Sequence, residues 1–137
     1  MKLVASLIAS AALGLSMLAA VPSTATAAYP GIVHTNCSYR APHVVKKKRG
    51  LVVSYRVRAA GNARPRGVVV LSVYKLRHGT GTAVRLVSES YVGPHWRRTS
   101  LGEFKKGRYS TKMSFRPGAG SVYEPCSSGP LNFRVKR

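Results

Sequence analysis

Apolar and polar side chains alternate along most of the chain from residue 50 onward, and this period of two restricts the fold more than any other feature. The clearest example is GRYSTKMSF, residues 107–115. One parity of that segment consists of Tyr109, Thr111, Met113 and Phe115, and the other is polar or basic. Successive side chains of a strand point to opposite faces of its sheet, so this pattern is typical of half-buried β-strands. After the first 28 residues, no window has helical periodicity over more than two turns.

The same alternation recurs in segments separated by turn signals rich in Gly, Pro and Asn. Strands are predicted in residues 51–60, 68–76, 82–92, 107–115 and 131–137, and shorter ones in the remaining chain. About seven short antiparallel strands in a domain of this size predict an all-β sandwich. A small closed barrel of the oligonucleotide-binding type is the alternative, which the charge and the aromatic side chains favour.

Residues 1–28 have the features of a signal peptide. Lys2 precedes an apolar segment, residues 3–21, which Pro22 ends, and Ala25-Thr26-Ala27 matches the small-x-small pattern of a cleavage site. A single membrane-spanning anchor is the alternative, because the apolar segment could just span a bilayer. We expect a secreted, extracellular product with one domain in residues 29–137, which is long enough for one hydrophobic core and too short for two.

The chain has two cysteines, Cys37 and Cys126. In an oxidising compartment we expect them to form one intramolecular disulfide, and free or intermolecular thiols are the alternative. Closing a loop of this length stabilises a fold by about 4–5 kcal/mol on the chain-entropy estimate. Neither cysteine has a second ligand at the spacing of a zinc site.

The charge is strongly one-sided: 23 lysines and arginines face three glutamates, there is no aspartate, and the formal net charge is +20. Such a surface attracts polyanions, although it can also serve solubility alone. The expected partner is an anionic polymer or surface, that is, a wall polymer, an acidic glycan, a nucleic acid or an anionic lipid. The candidate polyanion-binding residues are a compact basic run in a turn, two outward arginines of one strand, and two arginines after Trp96: Lys46, Lys47, Lys48, Arg49, Arg56, Arg58, Arg97 and Arg98.

Catalysis has little support in this composition. With no aspartate a Ser-His-Asp triad is impossible, and the three glutamates (Glu89, Glu103 and Glu124) lie far apart in sequence. We expect each glutamate to pair with a cation and the four histidines to lie singly in turns or loops. The sequence therefore predicts a non-enzymatic monomer without cofactor or metal.

Two segments carry a family resemblance. RAAGNARPRGVVVLSVY, residues 58–74, and FKKGRYSTKMSFRPGAGSVYEPCSS, residues 104–128, resemble the second-to-third strand region and the sixth-strand segment of bacterial Ig-like repeat domains. In the second segment the matching positions are Phe104, Gly107, Tyr109, Phe115, Pro117, Gly118, Tyr123 and Ser127. The resemblance covers residues 50–137, with a poor fit over residues 78–100.

The resemblance implies an Ig-like sandwich in which Gly107 and Tyr109 form a tyrosine corner, the hydroxyl bonding to upstream backbone. It also implies a non-catalytic adhesive, spacer or carbohydrate-associated role. Two positions depart from antibody-type domains, since Thr111 stands at the position of the sixth-strand cysteine and Trp96, the only tryptophan, lies outside the third strand. The hypotheses from the sequence are a polyanion-binding Ig-like module, a structural or adhesive spacer without a specific ligand, and a small basic nucleic-acid-binding barrel.

Overall fold

The computed structural model describes residues 31–137, and the predicted signal peptide lies outside the described residues. The described chain folds into eight strands: β1 (Thr35–Arg40), β2 (Val44–Lys46), β3 (Val52–Ala59), β4 (Arg66–Arg77), β5 (Thr80–Val92), β6 (Arg97–Ser100), β7 (Gly107–Pro117) and β8 (Cys126–Lys136). Within this part of the chain, no helix is long and apolar enough to cross a membrane.

The strands form two sheets that pack face to face as an Ig-like β-sandwich, which confirms the predicted fold class. One sheet has three strands in the order β1-β3-β6, and the other has five in the order β2-β8-β7-β4-β5. All pairs are antiparallel except β2 with β8. Eight strands form rather than about seven, because the chain crosses between sheets after β1 and the short β2 adds a parallel edge to β8.

The alternation seen in the sequence decides which side chains enter the space between the sheets. In β7 the predicted apolar parity is buried, and Tyr109, Thr111, Met113 and Phe115 are at most 3% exposed. The opposite parity faces solvent, with the exception of Ser110. Similar inward rows from β3, β4 and β8 complete the core: Val53, Tyr55, Val57, Val69, Leu71, Val73, Phe133 and Val135. Burial of this apolar surface is the main stabilising contribution.

A close approach between β4 and β7 explains one glycine of the core. A Cβ on Gly67 would overlap the Arg116 carbonyl oxygen and would lie 2.8 Å from Cε2 of Phe115. Only glycine therefore lets these strands pair at this point.

The predicted disulfide is confirmed and joins the two sheets. Cys37 of β1 and Cys126 at the start of β8 are bonded, with their Cα atoms 5.7 Å apart and a sequence separation of 89. The covalent tie therefore links the two ends of the domain across the sandwich.

Near the start of β7, Tyr109 forms a hydrogen bond with the backbone four residues before it. Its hydroxyl donates to the carbonyl oxygen of Lys105 at 2.7 Å, and its ring stacks on Phe133 with centroids 5.3 Å apart. Burial raises the pKa of the Tyr109 hydroxyl. A Cβ at Gly107 would lie 3.4 Å from Cε2 of Tyr109, which is an ordinary van der Waals contact.

Candidate functional site

The basic side chains are left without acidic partners inside the domain. Within residues 31–137 the one acid–base pair closer than 4.0 Å is His34 Nδ1 with Glu124 Oε2 at 2.6 Å. No lysine or arginine of this region pairs with a carboxylate. The expectation that each glutamate pairs with a cation is therefore wrong for Glu89 and Glu103. The charge of the folded domain is carried almost entirely by unpaired cations.

A groove on the described surface lies where β7 begins and β8 ends. It has a volume of about 510 Å³, and five of the residues that line it are basic: Lys106, Arg108, Arg134, Lys136 and Arg137. We call this set the basic groove. It lies at one end of the outer face of the five-stranded sheet, because Arg108 and Arg134 are exposed on the parity opposite the core. The charged side chains that line the groove are all cationic.

Strand register is the physical cause of this concentration of charge. Arg108 of β7 stands directly opposite Arg134 of β8, and Lys46 of β2 stands opposite Lys136 of β8. In an antiparallel pair such as β7 with β8, directly opposed side chains have Cβ atoms about 4.5–5.5 Å apart, and like charges in that arrangement destabilise a sheet. Two such pairs share β8, so the fold keeps four cations close together without a counterion.

The predicted run Lys46, Lys47, Lys48 and Arg49 continues from this groove. Lys46 ends β2, and the N–H of Lys47 donates to the Lys136 carbonyl at 3.0 Å. The turn closes with the Arg49 N–H donating to the Lys46 carbonyl at 2.9 Å. Since β2 and β3 belong to different sheets, the run crosses from one face of the sandwich to the other. Arg49 reaches a second groove, of about 460 Å³, that Arg98 also lines.

A separate cluster occupies the outer face of the three-stranded sheet. The guanidinium carbons of Arg40 and Arg56 lie 4.5 and 4.6 Å from the ring centroid of Trp96. Arg56 and Arg58, two residues apart on β3, line a groove of about 490 Å³ with Trp96 and His95. We call Arg40, Arg56, Arg58 and Trp96 the tryptophan cluster.

Cation–π attraction holds the arginines of this cluster near the ring. The Nε atom of Arg56 is buried and has no hydrogen-bond partner among residues 31–137. The Trp96 side chain is half-buried and two guanidinium groups already contact it, which limits its use as a stacking platform for a base.

Seven of the eight predicted polyanion-binding residues lie on these surfaces: Lys46, Lys47, Lys48 and Arg49 adjoin the basic groove, Arg98 lines the second groove, and Arg56 and Arg58 belong to the tryptophan cluster. The exception is Arg97, which stands opposite the buried Tyr55 in the pairing of β3 with β6 and lies 5.9 Å from the centroid of the Tyr91 ring. It therefore lies at the margin between the sheets. The sequence-based list omitted several basic residues that the structure brings to the same surfaces: Arg40, Lys106, Arg108, Arg134, Lys136 and Arg137. Their alternation was visible in FKKGRY and FRVKR, but the pairing of β7 with β8 was not.

The carboxylate of Glu89 faces the interior and is held by hydrogen bonds from two hydroxyl groups. Glu89 of β5 accepts hydrogen bonds from the Thr99 hydroxyl and from the Tyr55 hydroxyl. Burial, together with the bond to Glu89, raises the pKa of Tyr55 to about 12. In the described range of residues, no three His, Cys, Asp or Glu side chains cluster in a way that could hold a metal ion.

No family model and no curated protein matches this chain. Among solved structures, it is similar to the CARDB domain of the PF1109 protein from Pyrococcus furiosus, which was solved in complex with di-metal ions. The two share 12% identity over 77% of this chain and 90% of that chain, with a TM-score of 0.45.

Proposed function

We propose that this chain is a secreted, non-catalytic Ig-like module that binds extracellular or cell-envelope polyanions by electrostatic attraction. One observation carries the proposal: two cations of β8 stand directly opposite cations of its neighbouring strands. Arg134 stands opposite Arg108 of β7, and Lys136 stands opposite Lys46 of β2. A surface that served solubility alone would gain nothing from opposed cations, because they destabilise the sheet. A bound anion removes this repulsion and gains charge-assisted hydrogen bonds.

The arrangement of the cations favours a ligand that is recognised by its charges rather than by its bases. Arginines predominate in both the basic groove and the tryptophan cluster, and their planar guanidinium groups bind phosphate, sulfate or carboxylate in a bidentate manner. Trp96 is occupied by Arg40 and Arg56. We therefore propose a linear polymer that carries phosphate or sulfate groups, which includes wall polymers and acidic glycans.

The resemblance of residues 50–137 to bacterial Ig-like repeat domains agrees with this role, since members of that family act as adhesive, spacer or carbohydrate-associated modules. We infer that the domain belongs among such modules and acts at or outside the cell surface.

The test is binding as a function of salt concentration. The probes are heparin, poly(glycerol phosphate), single-stranded oligothymidylate and vesicles of an anionic phospholipid. Binding that releases counterions weakens linearly in log K against log salt, with a slope of about −0.7 to −0.9 for each neutralised phosphate of a nucleic acid. We expect the triple variant Arg108→Gln/Arg134→Gln/Lys136→Gln to have a shallower salt dependence, with the magnitude of the slope of log K against log salt smaller by about 2–3. A matched triple variant on the same sheet, Arg66→Gln/Lys112→Gln/Arg116→Gln, should change it less.

The other outcomes identify other functions. A spacer without a ligand should not be retained on any of the four probes above about 0.15 M salt, where the Debye length is about 8 Å. A preference for one base sequence at fixed salt, lost in Trp96→Ala, would identify a nucleic-acid-binding module instead. Retention on the vesicles alone would identify a membrane-surface protein.

A further inference from the structure

We infer that the domain binds two polyanion chains at once, one on each outer face of the sandwich, and so cross-links anionic polymers. This inference rests on the proposed function and adds a consequence of the geometry. The basic groove belongs to the five-stranded sheet and the tryptophan cluster to the three-stranded sheet. The outer faces of a two-sheet sandwich point in opposite directions, so a straight polymer on one face does not reach the other.

The two clusters are also offset along the strands. The basic groove adjoins Lys46, which precedes the start of β3 by a short turn, and the tryptophan cluster includes Arg58 near the end of β3. Arg40 pairs with Ser54, so the offset from the start of β3 ranges from roughly 7 Å at the level of Arg40 to roughly 20 Å at Arg58. The sheets themselves pack about 10 Å apart, and each outer layer of side chains adds several ångströms. The clusters therefore lie on opposite faces, at a separation of roughly 20 Å or more.

This separation allows two polyanions to bind without strong mutual repulsion. The Debye length is about 8 Å at physiological ionic strength, so solvent-exposed charges roughly 20 Å apart on opposite faces are largely screened from each other. At low salt the same repulsion would disfavour the second polymer. Cross-linking is therefore expected at physiological salt, within the range in which each face still binds.

The tryptophan cluster has the features of a separate site rather than of diffuse charge. Because Arg40 and Arg56 both contact one ring, their guanidinium carbons are no more than about 9 Å apart. Contact with the ring reduces the freedom of both side chains, so less entropy is lost when either of them binds an anion. No carboxylate within the described chain lies within ion-pair distance of either arginine. The cluster is thus a preorganised pair of cations that lacks a counterion.

A single polymer could instead wrap around the domain. The run Lys46 to Arg49 crosses between the faces, and Arg98 extends the charge onto the three-stranded sheet. Wrapping would occupy both clusters with one chain and would leave no site for a second chain. The experiment must therefore detect a second polymer directly.

Biotinylated heparin is immobilised, saturated with the protein at about 0.15 M salt, washed, and exposed to fluorescein-labelled heparin. Two triple variants of equal charge change remove one face each: Arg40→Gln/Arg56→Gln/Arg58→Gln and Arg108→Gln/Arg134→Gln/Lys136→Gln. Wild type should capture labelled heparin in the second layer. Each triple variant should still bind the immobilised layer and should capture at least tenfold less labelled heparin.

Controls separate misfolding and oligomerisation from loss of a site. Because Arg56 is half-buried, Arg40→Gln/Arg58→Gln provides a second test of the tryptophan cluster that leaves the interior unchanged. A mixture of the two triple variants should not restore capture, since both faces must lie on one molecule. If the mixture restores capture, an oligomer does the bridging and the inference is wrong.

The remaining outcomes are equally decisive. Binding of wild type to the first layer without capture of labelled heparin indicates wrapping and overturns the inference, while the proposed function stands. Full capture by either triple variant also overturns it, because that face would not be needed. No binding of wild type to the first layer means that the proposed function itself fails.

Discussion

The carboxylate of Glu89 accepts hydrogen bonds from the hydroxyl of Thr99 at 2.9 and 2.8 Å, and so joins edge strands of opposite sheets. Glu89 belongs to β5 and Thr99 to β6, and the Tyr55 hydroxyl of the central strand β3 donates to the same carboxylate. The bonds close the side of the sandwich at which neither edge has another strand to pair with. In a chain with three acids, one is therefore used to hold the sheets together.

Replacement of this carboxylate should be costly. Glu89→Gln leaves one acceptor oxygen and directs an amide N–H₂ group towards hydroxyl donors, so we expect the free energy of unfolding to fall by about 1–3 kcal/mol. The exposed Glu103 provides the control, and Glu103→Gln should change stability by less than about 0.5 kcal/mol. Urea denaturation of both variants measures the difference. Equal effects would show that the inter-sheet bonds contribute little.

Alkaline pH should destabilise the fold through two buried tyrosines. Burial raises the pKa of Tyr39 and of Tyr55 from 10.0 to about 12. A raised pKa means that the folded state retains a proton that the unfolded chain loses, so this stabilisation is complete below pH 10 and disappears as pH rises towards 12.

The measurement is the free energy of unfolding against pH for wild type and for Tyr39→Phe. Lysines titrate in the same range, but they contribute equally to both proteins, so the difference isolates Tyr39. We expect the loss of stability between pH 10 and 12 to be smaller in the variant. Parallel curves would mean that the hydroxyl titrates normally in the folded state.

The alternation of side chains was sufficient to predict the sandwich and most of its core, because burial in a two-sheet fold depends mainly on parity. It could not predict what depends on the pairing of strands distant in sequence. Tyr39 illustrates this limit. Its position in the alternation indicates an inward side chain. The hydrogen bond between its hydroxyl and Oγ1 of Thr111 in the opposite sheet, at 2.6 Å, depends in addition on how the two sheets are placed over each other.

The candidate site has the same limit. Arg108 and Arg134 each lie on an outward parity that is visible in the sequence. That they stand opposite each other follows from the register of β7 with β8, which a bulge between Thr111 and Met113 shifts. A run of adjacent residues such as Lys46–Arg49 is visible without register, and for this reason the sequence emphasised it over the basic groove.

Tyr91 provides a second test of the inter-sheet hydrogen bonds. Its hydroxyl accepts from the backbone N–H of Val57 at 2.9 Å and donates to the carbonyl of His95 at 2.9 Å. Pairing of β3 with β6 ends at Tyr55. Beyond that point the Tyr91 hydroxyl provides the acceptor for the Val57 N–H of β3. Tyr91→Phe leaves a buried N–H without an acceptor, which costs about 1–3 kcal/mol.

Tyr109→Phe is the matched comparison, because it removes one bond, from the hydroxyl to the Lys105 carbonyl, near the solvent boundary. We expect it to cost about 1 kcal/mol, less than Tyr91→Phe. Thermal or urea unfolding ranks the two variants. The reverse order would show that the bond at the entrance to β7 is the more important of the two.

The opposed pair Arg108 and Arg134 leads to a prediction in which stability and binding change in opposite directions. Arg108→Gln removes the like-charge repulsion across β7 and β8, so at low salt we expect the free energy of unfolding to rise by about 0.2–1 kcal/mol. The gain should vanish near 1 M salt, where the Debye length is about 3 Å. The same variant should bind heparin more weakly, since it lacks one cation of the basic groove.

Lys112 is the control: it is exposed on the same strand, and its partner on β4 is the uncharged Ser72. Lys112→Gln should leave stability nearly unchanged at every salt concentration. If Arg108→Gln instead destabilises the domain at low salt, repulsion between Arg108 and Arg134 does not lower the stability of the fold. The main support for the proposed function is then lost.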